Sequence, residues 1–387
     1  MLRYLTAGES HGQGLVVIVE GLPAGLEVTE EMIQAELSRR RLGYGRGPRM
    51  RFEQDELTLI GGIRHGRTLG SPVAIEIGNT EWPKWTEEMS PAPGRTEKPL
   101  TKPRPGHADL PGMQKYGFVD ARDALERASA RETAARVAAG SLAKALLAHL
   151  GVQIVSHVIQ MGPVVSKSTL RPRPEDLATV DDSQVRCFDP EAEAAMVSEI
   201  KAAAKVGDSL GGVVEVIGYG VPVGLGSYVQ WDRKLDGLLA QAFVSIQAVK
   251  AVEIGEGFDV AGRRGSDAHD AIVWDREARV YRRESNRSGG IEAGISNGEP
   301  LVARVAMKPL ATLNRPVLKT VDTVTKEETV SFKERTDVTA VPAMGVVAET
   351  AMALVVAGEA MRKFGGDSLD ELVRNHDAYL ADLAQRA

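Results

Sequence analysis

Cysteine occurs once in the 387 residues, at Cys187. No disulfide can form within the chain, and no zinc or iron–sulfur site built on clustered cysteines is available. This scarcity fits a reducing, cytoplasmic setting. Aromatic residues make up only 5%, too few for the stacking surfaces that grip single-stranded nucleic acid. Neither sign of charge dominates. The 47 basic residues oppose 53 acidic ones for a formal charge of −6, so a basic site has to be local and the whole chain is no polyanion binder. No apolar run approaches the roughly 18 residues of a membrane-spanning helix, and the most apolar late stretch, residues 341–358, is interrupted by Glu349 and Thr350. The opening MLRYLTAGESHGQG lacks the apolar segment of a signal peptide. A dinucleotide fingerprint and a Walker loop are also missing, so any cofactor is held by another kind of fold.

What is present is an ordinary soluble composition, 43% apolar and 26% charged, in a length that allows one large domain or two to three of about 150 residues. Glycine is the one excess, 40 residues or about a tenth against a usual ~7%, which points to many tight turns. Residues 15–20, LVVIVE, read as a strand closed by the turn-rich Gly21-Leu-Pro23-Ala-Gly25, with a helix from about Glu30. Further strands are expected near 57–60, 72–77, 152–159 and 213–217. Helices are expected near 191–204, 235–251, 344–364 and 369–384. Residues 79–106 carry Pro, Lys, Glu and Trp without periodicity and read as a long surface loop of the kind that covers a site. From Ser129 to Gly151 the sequence predicts an alanine-rich central helix, opened by Ser129-x-x-Glu132 at capping-box spacing.

Two internal echoes suggest duplicated halves. Gly21-Leu-Pro23-Ala-Gly25-Leu recurs as Gly220-Val-Pro222-Val-Gly224-Leu, each between a strand and a helix. Gly62-Ile63-x-x-Gly66 followed by Pro72 recurs as Gly294-Ile295-x-x-Gly298 followed by Pro300. They predict one α+β domain with two similar sheets flanking shared helices.

Four segments could carry chemistry. Gly8-Glu9-Ser10-His11-Gly12 matches the G-x-S-x-G nucleophile elbow of a serine esterase, but that motif needs a helix after the serine and here a strand follows. His11 in a glycine-flanked turn survives as a proton donor. Residues 39–51 hold six arginines in thirteen positions. Arg39 to Arg41 can be explained by a helix C-terminus, but Arg46, Arg49 and Arg51 cannot, and the intervening glycines let a loop aim several guanidinium groups at a small ligand with carboxylates and phosphate. An arginine-rich nucleic-acid site is the alternative, weakened by the acidic total. His107 in Arg104-Pro-Gly-His107-Ala-Asp109 is the second histidine of interest, and neither histidine has metal-ligand spacing. Arg127 to Thr133 joins a loop to the central helix, where unpaired amides beside Arg131 would make an anion site.

Taken in order, GESHG before a strand and GLPAG, RRRLGYGR, RPGHAD with QKYG, SARETAARVAAG, VEIGEGF, KPLAT and Arg335-x-Asp337 resemble the chorismate synthase family from Gly8 to about Glu349. The resemblance implies a carbon–oxygen lyase that removes phosphate from 5-enolpyruvylshikimate 3-phosphate by an anti 1,4-elimination, giving chorismate for aromatic amino acid biosynthesis. It implies dependence on reduced FMN and an association with NADP. It also implies a separate flavin reductase or other source of reduced FMN, because no part of the chain is left over for a reductase domain. A fold of two antiparallel sheets sandwiching helices, in one domain over 1–387, and a cytoplasmic homotetramer follow from the same likeness, with no nucleic-acid or membrane partner.

By position, the family's roles fall on His11 as proton donor near the leaving phosphate, His107 at the flavin's pyrimidine side and Asp337 as a carboxylate that takes a proton from flavin N5. Arg40, Arg46 and Arg131 fall at the anionic substrate. Flavin contacts fall on Arg127, Ala128, Ser129, Gln247, Ala248, Ala293, Lys308, Pro309, Leu310, Ala311, Thr312 and Arg335. The chain departs from the family's usual residues at Ala128, Ala293 and Thr336, which leaves any contact donated by side chain 128 in doubt.

Overall fold

The computed structural model of the chain describes residues 2–47, 55–94, 96–332 and 336–386. Alternation sets the first sheet. In β1 (Arg3–Ala7), β2 (Gly14–Glu20), β3 (Glu56–Gly61) and β4 (Val73–Gly78), the side chains of Leu15, Val17, Val19, Val73, Ile75 and Ile77 are buried while their neighbours turn outward, the period of a half-covered sheet. The strands run antiparallel in the order β1-β2-β4-β3. A second antiparallel sheet joins β5 (Gln153–Met161), β6 (Gly212–Tyr219), β7 (Val249–Ile254) and β8 (Leu301–Met307) in the order β7-β8-β6-β5, with the short strand Val164–Val165 at the β5 edge. Position for position the two sheets have the same order.

The helices follow the same plan. In each half a Gly-x-Pro-x-Gly turn leads from the second strand to a helix, α1 (Glu30–Arg41) or α5 (Leu235–Val244). Two central helices are buried almost all round, α3 (Thr133–Ala148) and α6 (Val341–Phe364), as an alanine- and valine-rich helix with no polar face requires. Helix α3 packs on β2 and on α6, and α6 packs on β5 and β6. By length and hydropathy α6 could span a membrane, but 78% of its most apolar window is buried inside the protein. Two further helices are α4 (Pro190–Val206), opened by Asp189 and proline and stopped by Gly207, and α7 (Leu369–Arg386). A shorter one, α2 (Arg122–Ala128), precedes the central helix.

The duplication is visible in hydrogen bonds as well as topology. Gly25 N–H donates to Thr68 O at 2.9 Å, and Gly224 N–H to Ser296 O at 2.9 Å. Leu69 N–H donates to Gly62 O at 3.1 Å, and Asn297 N–H to Gly290 O at 3.0 Å. These pairs correct the second echo. Gly62 corresponds to Gly290 and Gly66 to Gly294, four residues earlier than the sequence match places them, because glycines recur every four residues in both halves.

Other expectations are corrected too. The helix predicted over 235–251 stops at Val244. Ala248 has a φ of 67°, and the chain then enters β7. Strand β1 was not foreseen. The central helix begins at Thr133, after a tight turn over Ala130–Glu132. Ser129 caps that turn by accepting Arg131 N–H at 3.3 Å, but no capping box forms. The Glu132 carboxylate instead takes the Thr6 hydroxyl, Arg136 Nε and Gln247 Nε2 at 2.7, 2.8 and 2.9 Å.

Candidate active site

Equivalent elements of both halves converge on one cleft of about 1540 Å³, more than a single drug-sized ligand needs (~300–1,000 Å³). The first half contributes the β1–β2 turn, the residues after α1 and the start of the central helix. The second contributes the residues after α5, those after β8 and the start of α6. His11, Arg40, Arg46, His107, Ser129, Arg131, Gln247, Leu310, Ala311, Thr312 and Asp337 all line it. Seven Arg and Lys side chains in the lining face five Asp and Glu, the reverse of the balance over the whole chain. The long loop forms part of the wall through Glu81, Lys84, Trp85 and Glu88.

His11 is fixed by a residue the sequence gave no reason to single out. Its Nδ1 lies 3.0 Å from each oxygen of Glu126, and its backbone N–H donates to Glu126 Oε2 at 2.9 Å. Trp85 stacks on the ring with centroids 4.1 Å apart, and Arg122 donates to Glu126 Oε1 at 2.9 Å while lying 5.0 Å over Trp85. Burial alone would raise the Glu126 carboxyl. The His11 hydrogen bonds and the charges of His11 and Arg122 overcome it and hold the group below the usual range.

His107 has the same kind of support. Asp109 Oδ1 is 2.5 Å from Nδ1. Arg104 donates to Asp109 from its backbone N, Nε and Nη2 at 3.0, 2.9 and 3.1 Å, and to Thr312 Oγ1 at 2.9 Å. Asp109 is buried, which would raise it, yet His107 and Arg104 bring it well below the ordinary carboxylate range. The Lys308 ammonium holds the same loop by donating to Gly106 O at 2.5 Å.

The arginines come from three directions. Arg40, buried, donates from Nε to Thr133 Oγ1 at 3.0 Å. Arg131 Nη1 donates to Asp55 Oδ1 at 2.5 Å and Nη2 to Gly78 O at 3.3 Å. Arg46 Nη1 is 3.1 Å from Asp337 Oδ2, whose partner oxygen accepts Gly47 N–H at 2.6 Å. Arg39 does not serve the cleft or simply end its helix. It binds the fully buried Glu349 at 2.7 and 3.0 Å, together with Glu36 and Asp181. Lys144 and Arg186 reach the same carboxylate. Desolvation would raise Glu349, but three surrounding cations keep it far below its ordinary value.

Several expected residues lie elsewhere. Arg127 is exposed and donates to Thr6 O and Gly8 O at 2.8 and 3.2 Å. Ala128, Ala248, Lys308 and Pro309 flank the lining without entering it, and Ala293 is exposed at a hairpin tip with φ 51°. Arg49, Arg51 and Arg335 lie outside the described residues. The amides expected to bind an anion at the central helix start are taken up within the turn, Arg131 N–H by Ser129 Oγ, Glu132 N–H by Ser129 O and Thr133 N–H by Ala130 O. Ser10 is no nucleophile elbow: the turn runs into β2, and the hydroxyl receives its hydrogen bond from Ser129 Oγ at 3.2 Å. Glu126, Trp85, Arg122 and Asp109 were missed as functional residues. Only the Arg122–Glu126 spacing of four on a helix hinted at a pair.

Comparison with known proteins agrees over the whole length. The family model for chorismate synthase matches residues 2–361. Curated chorismate synthases from Thermobifida fusca and Salinispora tropica are 60% and 59% identical, each alignment covering 100% of both chains. A crystal structure of chorismate synthase superposes with a TM-score of 0.80 at 40% identity, covering 99% of this chain and 98% of that one.

Proposed function

The chain belongs to the chorismate synthase family, lyases that convert 5-enolpyruvylshikimate 3-phosphate to chorismate and phosphate, and on that premise we propose that the cleft around His11, His107 and Asp337 is where this elimination occurs. The observation that carries the proposal is convergence: three proton-carrying groups and three buried or half-buried arginines, drawn from segments across the whole chain, line one cavity.

The substrate carries two carboxylates and a phosphate. Bringing it out of water requires cations already fixed in place. Arg40, Arg46 and Arg131 supply them, each pinned by a named partner so that little ordering remains when the anion arrives. Other residues of the same lining suit reduced FMN. Gln247 Nε2 is committed to Glu132, and its buried Oε1 has no hydrogen-bond partner among the described residues, so an acceptor stands ready for a ring N–H. Ser129, Gln247 and Leu310 to Thr312 would hold the flavin. When bound, it supplies an electron-rich ring that assists loss of the phosphate and of the ring hydrogen.

The chain's own part is proton placement. His11, as an imidazolium whose Nδ1–H stays on Glu126, donates a proton from Nε2 to the departing phosphate oxygen and is left as the neutral Nδ1–H ring. His107, held at Nδ1 by Asp109, presents Nε2 to the cofactor side. Asp337 keeps Oδ1 on the Gly47 amide and uses Oδ2, beside Arg46, to hold a proton during the cycle. We also propose the finer architecture and setting: two sheets sandwiching the central helices in one domain, supported by a hydrophobic core continuous through both halves; a cytoplasmic homotetramer; and a separate reductase or other source of reduced FMN.

The test is anaerobic phosphate release from the enolpyruvyl substrate. Release is expected only with reduced FMN, and H11A, H107A and D337A should each slow it by about 10²-fold or more. Equal release with oxidised flavin or none would defeat the reading, and a near-normal rate in one variant would remove that residue from it.

A further inference from the structure

Glu126 and His11 are separated by 115 positions in sequence, yet the fold binds them through both side chain and backbone. The two carboxylate oxygens bracket Nδ1 at 3.0 Å, Oε2 accepts the His11 amide at 2.9 Å, and the Glu126 carbonyl accepts the Ser10 amide at 3.1 Å. The carboxylate is itself held by Arg122 Nη1 at 2.9 Å and has a side chain only 2% exposed. Trp85 covers one face of the imidazole. A carboxylate accepts but cannot donate, so the proton of a neutral ring resides on Nδ1. A ring flip would set a carbon against the carboxylate and leave two buried oxygens poorly satisfied.

We infer that Glu126 is the positioning residue of the reaction: it fixes the tautomer and orientation of His11, so that Nε2 is the nitrogen that exchanges the proton with the substrate. The inference rests on the reading of His11 as proton donor. Arg122 and Trp85 complete the support, Arg122 by also pairing with Glu88 at 3.3 Å, which ties the long loop to the same carboxylate. Glu126 touches neither substrate nor flavin in this scheme and acts only through the imidazole.

Glu126→Gln preserves size and one acceptor but introduces a donor, so it permits the opposite tautomer. In the full-length protein assayed anaerobically with reduced FMN, E126Q should lower kcat by about 10²-fold with KM changed less than about threefold. H11A should be at least as slow, and the double variant no slower than H11A within about threefold, because the two residues act as one unit. Nitrogen-15 NMR of histidine-labelled protein should show Nδ1 of His11 protonated in the parent and the proton redistributed to Nε2 in E126Q.

A slow H11A beside an E126Q of normal rate, additive losses in the double variant, or Nδ1 still fully protonated in E126Q would each overturn the inference alone. H11A at the normal rate would overturn the reading of His11 and the inference with it. If E126Q does not fold, Glu126→Asp, which shortens the reach by one methylene but still requires the proton on Nδ1, is read by the kcat, KM and double-variant criteria alone.

Discussion

Thr68 and Ser296, from opposite halves of the chain, make the same pair of buried hydrogen bonds. Thr68 Oγ1 donates to Pro23 O at 2.6 Å and accepts Leu26 N–H at 3.0 Å; Ser296 Oγ donates to Pro222 O at 2.6 Å and accepts Leu225 N–H at 2.8 Å. Each hydroxyl pins the Gly-x-Pro-x-Gly turn that redirects the chain from sheet to helix. Thr68→Val or Ser296→Ala leaves a buried amide and carbonyl without a partner, at a cost of about 1–3 kcal/mol. Urea denaturation should show similar losses for the two variants and an additive loss for the pair, since the sites share no contacts. An unchanged midpoint in either variant would mean that the hydroxyl does not hold the turn.

Much of this was legible in the strands and turns. The alternation of LVVIVE and the repeated Gly-x-Pro-x-Gly turn announce a duplicated sheet. What glycine spacing cannot give is register, because Gly62, Gly66 and Gly70 match Gly290, Gly294 and Gly298 equally well in more than one alignment, and only the Leu69–Gly62 and Asn297–Gly290 hydrogen bonds decide between them. In the site, His11, His107 and the arginines stood out because glycine and proline surround them. Glu126 did not. It is one acid in a short amphipathic helix, and its partner comes from a turn far away in sequence. Glu349 was read as an interruption in an apolar run, whereas the fold gives it Arg39, Lys144 and Arg186 as partners. Burial and partnership are products of folding, and no local pattern encodes them.

The Asp337 carboxylate divides its oxygens between an amide and a cation, so two substitutions separate its duties. Asn keeps an acceptor for Gly47 N–H, at 2.6 Å in the parent, and removes only the charge and the proton-carrying function. Turnover in D337N should therefore fall by about 10²-fold with little change in KM. Ala also releases Gly47, whose amide helps to hold the arginine loop, so D337A should raise KM for the enolpyruvyl substrate as well. Equal KM in the two variants would argue that the Gly47 contact has no part in holding the arginine loop.

Away from the cleft, Glu215 provides a pH signature of the second sheet. Its burial would raise the carboxyl, but His157, with Nε2 3.5 Å away, and the hydrogen bonds and charge of Arg171 bring it from 4.5 to about 2; Arg304 adds a contact at 3.2 Å. A carboxylate whose folded value lies below its unfolded one binds fewer protons in the folded state, so stability falls as the pH is lowered. The contribution of Glu215 is complete above about pH 4.5 and is lost as the pH drops toward 2. Urea midpoints of the parent and E215Q should differ by a constant amount from neutral pH down to about 5 and converge as the pH approaches about 2. A gap that widens on acidification would contradict the ion-pair account.

The two central helices meet at Gly140 of α3 and Thr350 of α6. A methyl group built on Gly140 would come within 2.2 Å of Thr350 Cβ and 2.9 Å of its Cα, distances that no rotamer change relieves. Gly140→Ala must push the helices apart, and overpacking of this kind costs about 1–3 kcal/mol or more. Thr350→Ser should not rescue it, because the clash is with the β-carbon and the backbone and not with the branch. The starts of these same helices contribute Ala130, Thr133, Ala340 and Met344 to the cleft wall, so the separation reaches the site. At a temperature where G140A remains folded, its kcat/KM for phosphate release should fall, while a surface variant of equal instability, remote from both helices, keeps the parent value. If G140A loses stability without losing kcat/KM, the helix crossing supports the fold but does not set the geometry of the cleft.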